Sequence, residues 1–368
     1  MSSDVKVASA TPPLPRKVDY FARGPRTRAS SHNALAFYNS GPKHTANMPR
    51  YVLDEVIGSG SFADVFRGLD MFDGAVVAIK RTKVNNEEHR DVLGSMHAGR
   101  EVGAMMHLKH KYIVRMVDSF MDASLHIVFE FAEHGDLFDW VIAKYGQVAD
   151  YHHRPVVCAR TLTRISRQTG SALAYCHSLR VAQRDFKPEN VIVVQKEPNI
   201  KVKIVDFGLS YGVYYAENDA PKTREKVGSI DYAAPELFAG RGLLDPYKTD
   251  VWAYGIVMYV LAHYELPWAP SNERHRPEKF PKNLAREIGP HVRDGLRGII
   301  EQALQFCPDD RPTMDYLAAK ERICEDEAHD TFSVLQIFSH DGVSDNDSDS
   351  DIPPPPPPTL TRSETPQP

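Results

Sequence analysis

From residue 51 the chain runs through short apolar stretches bounded by glycine. Tyr51-Val-Leu-Asp-Glu-Val-Ile57 and Ala75-Val-Val-Ala-Ile79 are rich in β-branched residues, which suit a pleated, half-buried surface. A β-like stretch follows the glycines after Ile57, and a polar-to-apolar helical pattern occupies 91–108. Another strand-like run is Leu125-His-Ile-Val-Phe-Glu-Phe131. After Gly135 the period changes. Helical patterns cover 136–145, 161–179, 249–264 and 289–305, with short strands predicted near 191–194 and 201–205. Strands first and helices afterwards predict an α+β architecture, a small sheet-rich lobe joined to a larger, mainly helical one. Ligands favour such a junction.

Proline placement sets the outer boundaries. Of 27 prolines, six lie in residues 1–50 and eight in 352–368. Such ends bury too little apolar surface to offset the entropy of ordering, and disorder is expected in both. The first 50 residues carry eight Lys/Arg against two Asp, whereas the other tail runs Ser344-Asp-Asn-Asp-Ser-Asp-Ser-Asp351 into Pro353–Pro358. The division is therefore a basic tail 1–50, a body 51–325 with lobes 51–131 and 132–325, and an acidic, proline-rich tail 326–368. The formal charge of −5 gives no basic surplus toward nucleic acid or anionic lipid. The longest nearly uninterrupted apolar run, Val251 to Ala262, is 12 residues, against the roughly 20 a membrane span needs. Neither nucleic acid nor membrane is an expected partner, and a monomer is expected. Cys158, Cys176, Cys307 and Cys324 show no CxxC spacing, so they are expected to be reduced, buried side chains of a cytoplasmic or nuclear protein.

Three stretches carry chemistry. Ile57-Gly58-Ser59-Gly60-Ser61-Phe62-Ala63-Asp64-Val65 follows a predicted strand, and its glycines let backbone approach phosphate oxygens. A plain glycine hairpin would look the same. Lys80 ends an apolar strand 22 residues after Gly58, where an ammonium can reach nucleotide phosphates, and Glu101 on the next helix is its candidate partner. The third stretch is Gln183-Arg184-Asp185-Phe-Lys187-Pro-Glu189-Asn190, followed by Val205-Asp206-Phe207-Gly208. Mg2+ prefers hard oxygens and bridges to nucleotide phosphates through one or two carboxylates, a role that suits Asn190 and Asp206. Asp185 is then left to accept a hydroxyl proton, with Lys187 neutralising a transferring phosphoryl group.

In this order the stretches resemble eukaryotic-type protein kinases: glycine loop, VAIK, helix glutamate, RDxKxxN, DFG and Ala234-Pro235-Glu236. The resemblance covers about 51–325. Lys187 is the serine/threonine form, and Gly228-Ser-Ile-Asp-Tyr-Ala-Ala-Pro-Glu236 looks most like the calmodulin-dependent and AMP-activated kinase group. It implies Mg-ATP as cofactor and protein Ser/Thr hydroxyls as substrate. Val65, Ala78 and Ile192 would sandwich adenine, and Glu130 and Ala132 would supply backbone hydrogen bonds beside a bulky Phe129. Lys80, held by Glu101, would grip phosphates, and Asp206 and Asn190 would hold the metal. Asp185 would orient the hydroxyl, with Ser229 close to Asp185 and Lys187. Asp250-Val-Trp252-Ala-Tyr-Gly255 resembles the helix that anchors the catalytic loop, and Arg311 the partner of Glu236.

Three departures matter. Gln183 replaces the usual histidine and is expected to keep its bracing hydrogen bond at a modest cost in rate or stability. Ala63 replaces a third glycine. Glu225 stands where that group carries a phosphorylated threonine, so it is expected to give Arg184 a permanent charge, with Thr223 as an alternative phosphosite. Asp136 and Glu189 match acids that meet upstream arginines, Asp136 equally matching a ribose contact, while Val260 stands where a second glutamate is common. Basic residues near −3 are the expected preference, with a weakened preference at −2. Pro12-Pro-Leu-Pro15-Arg-Lys17 and Pro353–Pro358 fit SH3 or WW ligands. Residues 326–340 are acidic and show no calmodulin-binding pattern. A scaffold that binds nucleotide without catalysis is the alternative reading, and the intact set Lys80, Glu101, Asp185, Asn190 and Asp206 argues against it.

Overall fold

Alternation along β3 decides which side of the first sheet faces the ligand. Val77 and Ile79 are buried on one face with Tyr51, Phe66 and Val128 as a small core. Ala78 and Lys80 therefore point to the other face, because successive strand side chains alternate. The computed structural model describes residues 49–83, 88–145, 157–212, 222–238, 242–264, 266–267, 288 and 292–320, with backbone only for 88–93. The anticipated tails lie outside the described residues, apart from 49–50, and so does Cys324.

Strands β1 (Tyr51–Ser59), β2 (Ala63–Asp70), β3 (Val76–Thr82), β4 (Met116–Met121) and β5 (Leu125–Glu130) form one antiparallel sheet in the order β1-β2-β3-β5-β4. Helix α1 (Glu88–His107) lies between β3 and β4 in the chain. The second part holds α2 (Leu137–Tyr145), α3 (Ala159–Ser178), α4 (Pro246–His263) and α5 (Asp294–Ala303), with a two-stranded ribbon of β6 (Val191–Gln195) and β7 (Lys201–Ile204). This is the two-lobed α+β arrangement the pattern predicts. The segment after α1 sews the lobes together: Val114 N–H donates to the Ile204 carbonyl at 3.0 Å and Ile204 N–H to the Tyr112 carbonyl at 2.9 Å.

The helical core centres on α4, buried from Thr249 to Ala262. Asp245 caps it by accepting from Tyr247 N–H at 2.9 Å and Lys248 N–H at 3.3 Å, and Pro246 occupies the first turn, where its missing N–H costs nothing. Gly255 lets α5 approach, since a Cβ there would stand 2.8 Å from Ala303 Cβ and 2.8 Å from Leu304 Cδ2. The cysteine expectation fails in part: Cys176 is buried, but Cys158 and Cys307 are exposed. Cys158 precedes α3 and Cys307 precedes a short 3-10 turn, so both sit at element ends rather than on packed faces.

Candidate active site

Strand β3 delivers Lys80 to the inter-lobe face, where its ammonium meets two carboxylates. Lys80 Nζ lies 2.6 Å from Glu101 Oε2 and 3.0 Å from Asp206 Oδ1. Glu101 reaches it from α1 and is 1% exposed. Burial works against the ammonium, but the charges of Asp206 and Glu101 prevail and hold Lys80 firmly protonated. Burial likewise opposes ionisation of Asp206, and Lys80, the Gly208 N–H and Lys187 reverse it, so its pKa falls below the usual value.

Asp250 on α4 builds the loop that carries the next residues. Its carboxylate accepts the backbone N–H of Gln183 at 2.8 Å and of Arg184 at 2.7 Å. Arg184 adopts φ 67° and Asp206 φ 62°, left-handed geometry that side chains seldom adopt without surrounding contacts to enforce it. Gln183 ties the two segments together. Its Nε2 donates to the Asp206 carbonyl at 2.9 Å, and its Oε1 accepts the Asp185 N–H at 2.8 Å. The bracing hydrogen bond expected of Gln183 is present.

Around Asp185 the polar groups converge. Lys187 Nζ lies 2.9 Å from Asp185 Oδ2 and donates to Ser229 Oγ at 2.6 Å, while Ser229 N–H donates to Asp185 Oδ1 at 2.7 Å. Asn190 Nδ2 donates to the Asp185 carbonyl at 2.9 Å and to Oδ2 at 3.1 Å. That orientation leaves the amide oxygen of Asn190 for a hard cation, and Asp206 keeps Oδ2 because Lys80 and Gly208 engage Oδ1. No group of three or more His, Cys, Asp or Glu among the described residues could cage a metal by itself. Two oxygens without a cage fit Mg2+ completed by phosphates and water.

The glycine hairpin closes at Ser59 opposite Asp64, with Gly58 opposite Val65. Ser59 Oγ donates to Asp64 Oδ1 at 2.6 Å, and Lys83 donates to Ser59 Oγ at 3.0 Å and the Gly60 carbonyl at 2.8 Å. Lys83 was not foreseen, because no local pattern distinguishes it from an exposed strand end. Phe62 packs edge-on against His97 of α1, with ring centroids 4.8 Å apart. The cavity takes in Phe62, Ala63, Lys80, Glu101, Asp185 and Asp206, whereas Val65, Ala78, Glu130, Ala132 and Ile192 lie outside its lining. Ala78 is in register with Phe129, and Ile192 forms a bridge with Asp136. Ile57 and Val65 are half-buried at the hairpin, and Ser61 is exposed at its tip. Glu130 accepts from Arg115 N–H at 2.7 Å and from Lys203 at 2.5 Å through its side chain.

Two acids near the segment 183–190 differ. Asp136 is fully buried and accepts the Asp139 N–H at 2.8 Å, capping α2. Glu189 is 8% exposed and its Oε2 has no hydrogen-bond partner. Burial, with Asp136 and Asp185 adding to it, pushes its carboxyl pKa up. Glu225 Oε2 lies 2.9 Å from Arg184 Nη2, as the sequence suggested, and Oε1 lies 2.9 Å from Arg100 Nη2, which the sequence did not suggest. Thr223 is 5% exposed and exchanges backbone hydrogen bonds with Leu244, so its hydroxyl is not presented for modification. Arg311 grips Glu236 with both terminal nitrogens, at 2.7 and 2.8 Å.

A lysine between two carboxylates thus faces an aspartate held by lysine, asparagine and serine on a two-lobed fold. The chain belongs to the protein kinase domain family, whose profile matches residues 51–322. It is 31% identical over 318 residues to mouse (Mus musculus) NUAK family SNF1-like kinase 1, covering 84% of this chain and 42% of that protein. It is 30% identical over 279 residues to Serine/threonine-protein kinase RAD53 of Saccharomyces cerevisiae, covering 71% of this chain and 31% of that protein. Against the rat (Rattus norvegicus) SNF-related serine/threonine-protein kinase it is 29% identical over 266 residues, 72% of this chain and 33% of the relative. The chain thus spans less than half the length of these curated relatives. No helix among the described residues is long and apolar enough to cross a membrane.

Proposed function

We propose that this chain is a serine/threonine protein kinase that transfers the γ-phosphoryl group of Mg-ATP to a protein hydroxyl. The convergence of Lys187, Asn190 and Ser229 on Asp185, facing the Lys80–Glu101–Asp206 cluster, carries this reading. Asp185 orients the hydroxyl and accepts its proton. Lys187, held by Ser229, offsets charge on the transferring group, and Lys80 grips the remaining phosphates. Asn190 and Asp206 would hold Mg2+, which supplies charge neutralisation between the phosphates. By the family resemblance, Val65, Ala78 and Ile192 would enclose adenine beyond the cavity that holds Lys80 and Asp206, with Glu130 and Ala132 contributing backbone groups. Catalysis in such a site is mostly positioning and electrostatic stabilisation, and the interlocked hydrogen bonds of Asp185 serve both.

The substrate reading rests on Glu189. A buried carboxylate oxygen without a partner is costly, and turning the side chain outward to a guanidinium or ammonium of a bound peptide would satisfy it. The protein therefore selects basic residues upstream of the target hydroxyl, near −3. A positional peptide array run with purified full-length protein tests this: enrichment of Arg or Lys upstream of Ser or Thr is expected, reduced by Glu189→Gln. A flat upstream profile would refute the preference, and transfer to tyrosine alone would refute the serine/threonine assignment.

A further inference from the structure

One exposed carboxylate joins three separate elements. Glu225, in the segment 222–229, offers one oxygen to Arg184 of the catalytic loop and the other to Arg100 of α1, both at 2.9 Å. Arg100 is the immediate neighbour of Glu101, whose carboxylate holds Lys80 at 2.6 Å. Arg184 is bound at its other end as well: its Nε donates to the Leu209 carbonyl at 2.6 Å, just beyond Asp206-Phe207-Gly208. Its side chain is 3% exposed and its Nη1 lacks a hydrogen-bond partner, so Glu225 supplies the carboxylate that compensates its buried charge.

The segment is pinned on both sides of Glu225. Upstream, Thr223 exchanges backbone hydrogen bonds of 3.0 and 2.8 Å with Leu244, and its hydroxyl accepts the Glu225 N–H at 3.0 Å. Downstream, Gly228 turns at φ +109° so close to the catalytic loop that a Cβ would stand 2.5 Å from the Arg184 carbonyl oxygen. Glu225 is thus held at a fixed place between the two arginines. Burial opposes its ionisation, but the hydrogen bonds from Arg184 and Arg100 outweigh that and lower its pKa, so it is charged at neutral pH.

We propose that Glu225 is a positioning residue that, through Arg100 and Arg184, holds α1 against the catalytic loop, so that the Lys80–Glu101 pair is assembled in the unmodified chain. This rests on the kinase reading above. Glu225 is 45% exposed, so each contact is screened and of modest strength. Its effect comes from where it acts: a small shift of α1 moves Glu101 and hence Lys80.

The test uses full-length protein treated with phosphatase and shown by mass spectrometry to be unmodified. Wild type is expected to phosphorylate peptide in that state. Glu225→Ala and Glu225→Gln should lower kcat about tenfold with little change in peptide KM, the equivalent of losing two partly exposed charge contacts. Glu225→Asp should recover part of the loss, because the charge is kept and only the reach is shortened. Arg100→Ala should add nothing to Glu225→Ala, as expected for two residues acting through one contact. Hydrogen exchange over 94–107 should quicken in Glu225→Ala, a readout independent of catalysis. Wild-type rates in the two neutral variants, additive losses, unchanged exchange, or a wild type active only after another kinase acts would each overturn the proposal. A wild type that never transfers phosphate, with faster exchange in Glu225→Ala, would instead overturn the kinase reading and leave the mechanical link standing.

Discussion

Replacing Gln183 with leucine removes an amide that is fully buried and engaged at both ends. Leucine is one heavy atom smaller and branches one carbon earlier, so the loss is mainly polar with a smaller packing part. Two backbone groups lose their partner: the Asp206 carbonyl, bonded at 2.9 Å, and the Asp185 N–H, bonded at 2.8 Å. Stranding a buried polar group costs about 1–3 kcal/mol, so the variant should be destabilised by roughly 2–4 kcal/mol once local relaxation is allowed for. Activity should fall as well, because Asp206 sits at φ 62° and needs its neighbours to stay there. A displacement of about 1 Å in a reacting group can cost 100-fold, so a kcat loss between about tenfold and 100-fold is expected. Urea denaturation gives the stability change, and steady-state peptide phosphorylation gives the rate. Gln183→His, which retains a donor nitrogen, should fall between wild type and leucine in both. A leucine variant with a wild-type urea midpoint and a wild-type kcat would refute the idea that this amide braces the two segments.

Other consequences follow from the same contacts. Glu236→Ala strands Arg311, which is 1% exposed, and should cost about 3–5 kcal/mol in urea denaturation. Gly228→Ala places a methyl 2.5 Å from a backbone oxygen at φ +109°, so it should lower stability by roughly 1–3 kcal/mol and reduce kcat together with it. Burial raises the pKa of Glu189, so its charge is lost early as pH falls; KM for a basic peptide should rise toward acid pH, and Glu189→Gln should flatten that dependence. The pKa of Glu225 is lowered from 4.5, so the stability it contributes is present above that value and lost as pH falls through the folded pKa. The difference in melting temperature between wild type and Glu225→Ala should therefore be flat from about pH 6 to 8 and shrink under acid conditions.

Much of the fold was legible because its segments obey one period at a time. The β-branched run in 75–79 and the helical repeat in 161–179 correspond to β3 and α3, with ends shifted by a few residues. β4 has no counterpart in the sequence pattern: Met116 to Phe120 are all half-buried, so the strand shows no alternation of buried and exposed positions. The helix expected over 249–264 starts three residues after the observed beginning of α4 at Pro246, because the apolar run begins only at Val251 while the opening signal is the Asp245-Pro246 pair. Asp185, Lys187, Asn190 and Asp206 were found through motif order, and the structure brings them together. Lys83 and Arg100 were not found. Their partners, Gly60 and Glu225, lie 23 and 125 residues away, and surface cations carry no periodic signal until the fold closes. The expected burial of the cysteines failed for a related reason, since residue type alone does not say that Cys158 and Cys307 end up at element boundaries.

The most direct test of the account incubates purified full-length protein with Mg-ATP labelled at the γ-phosphate and a basic serine peptide, with Asp185→Asn alongside. Label on the peptide serine with wild type, and none with Asp185→Asn, is the predicted result. Nucleotide binding by wild type without any transfer, from protein whose helix content and melting temperature show it to be folded, would contradict the account and leave a nucleotide-binding scaffold in its place.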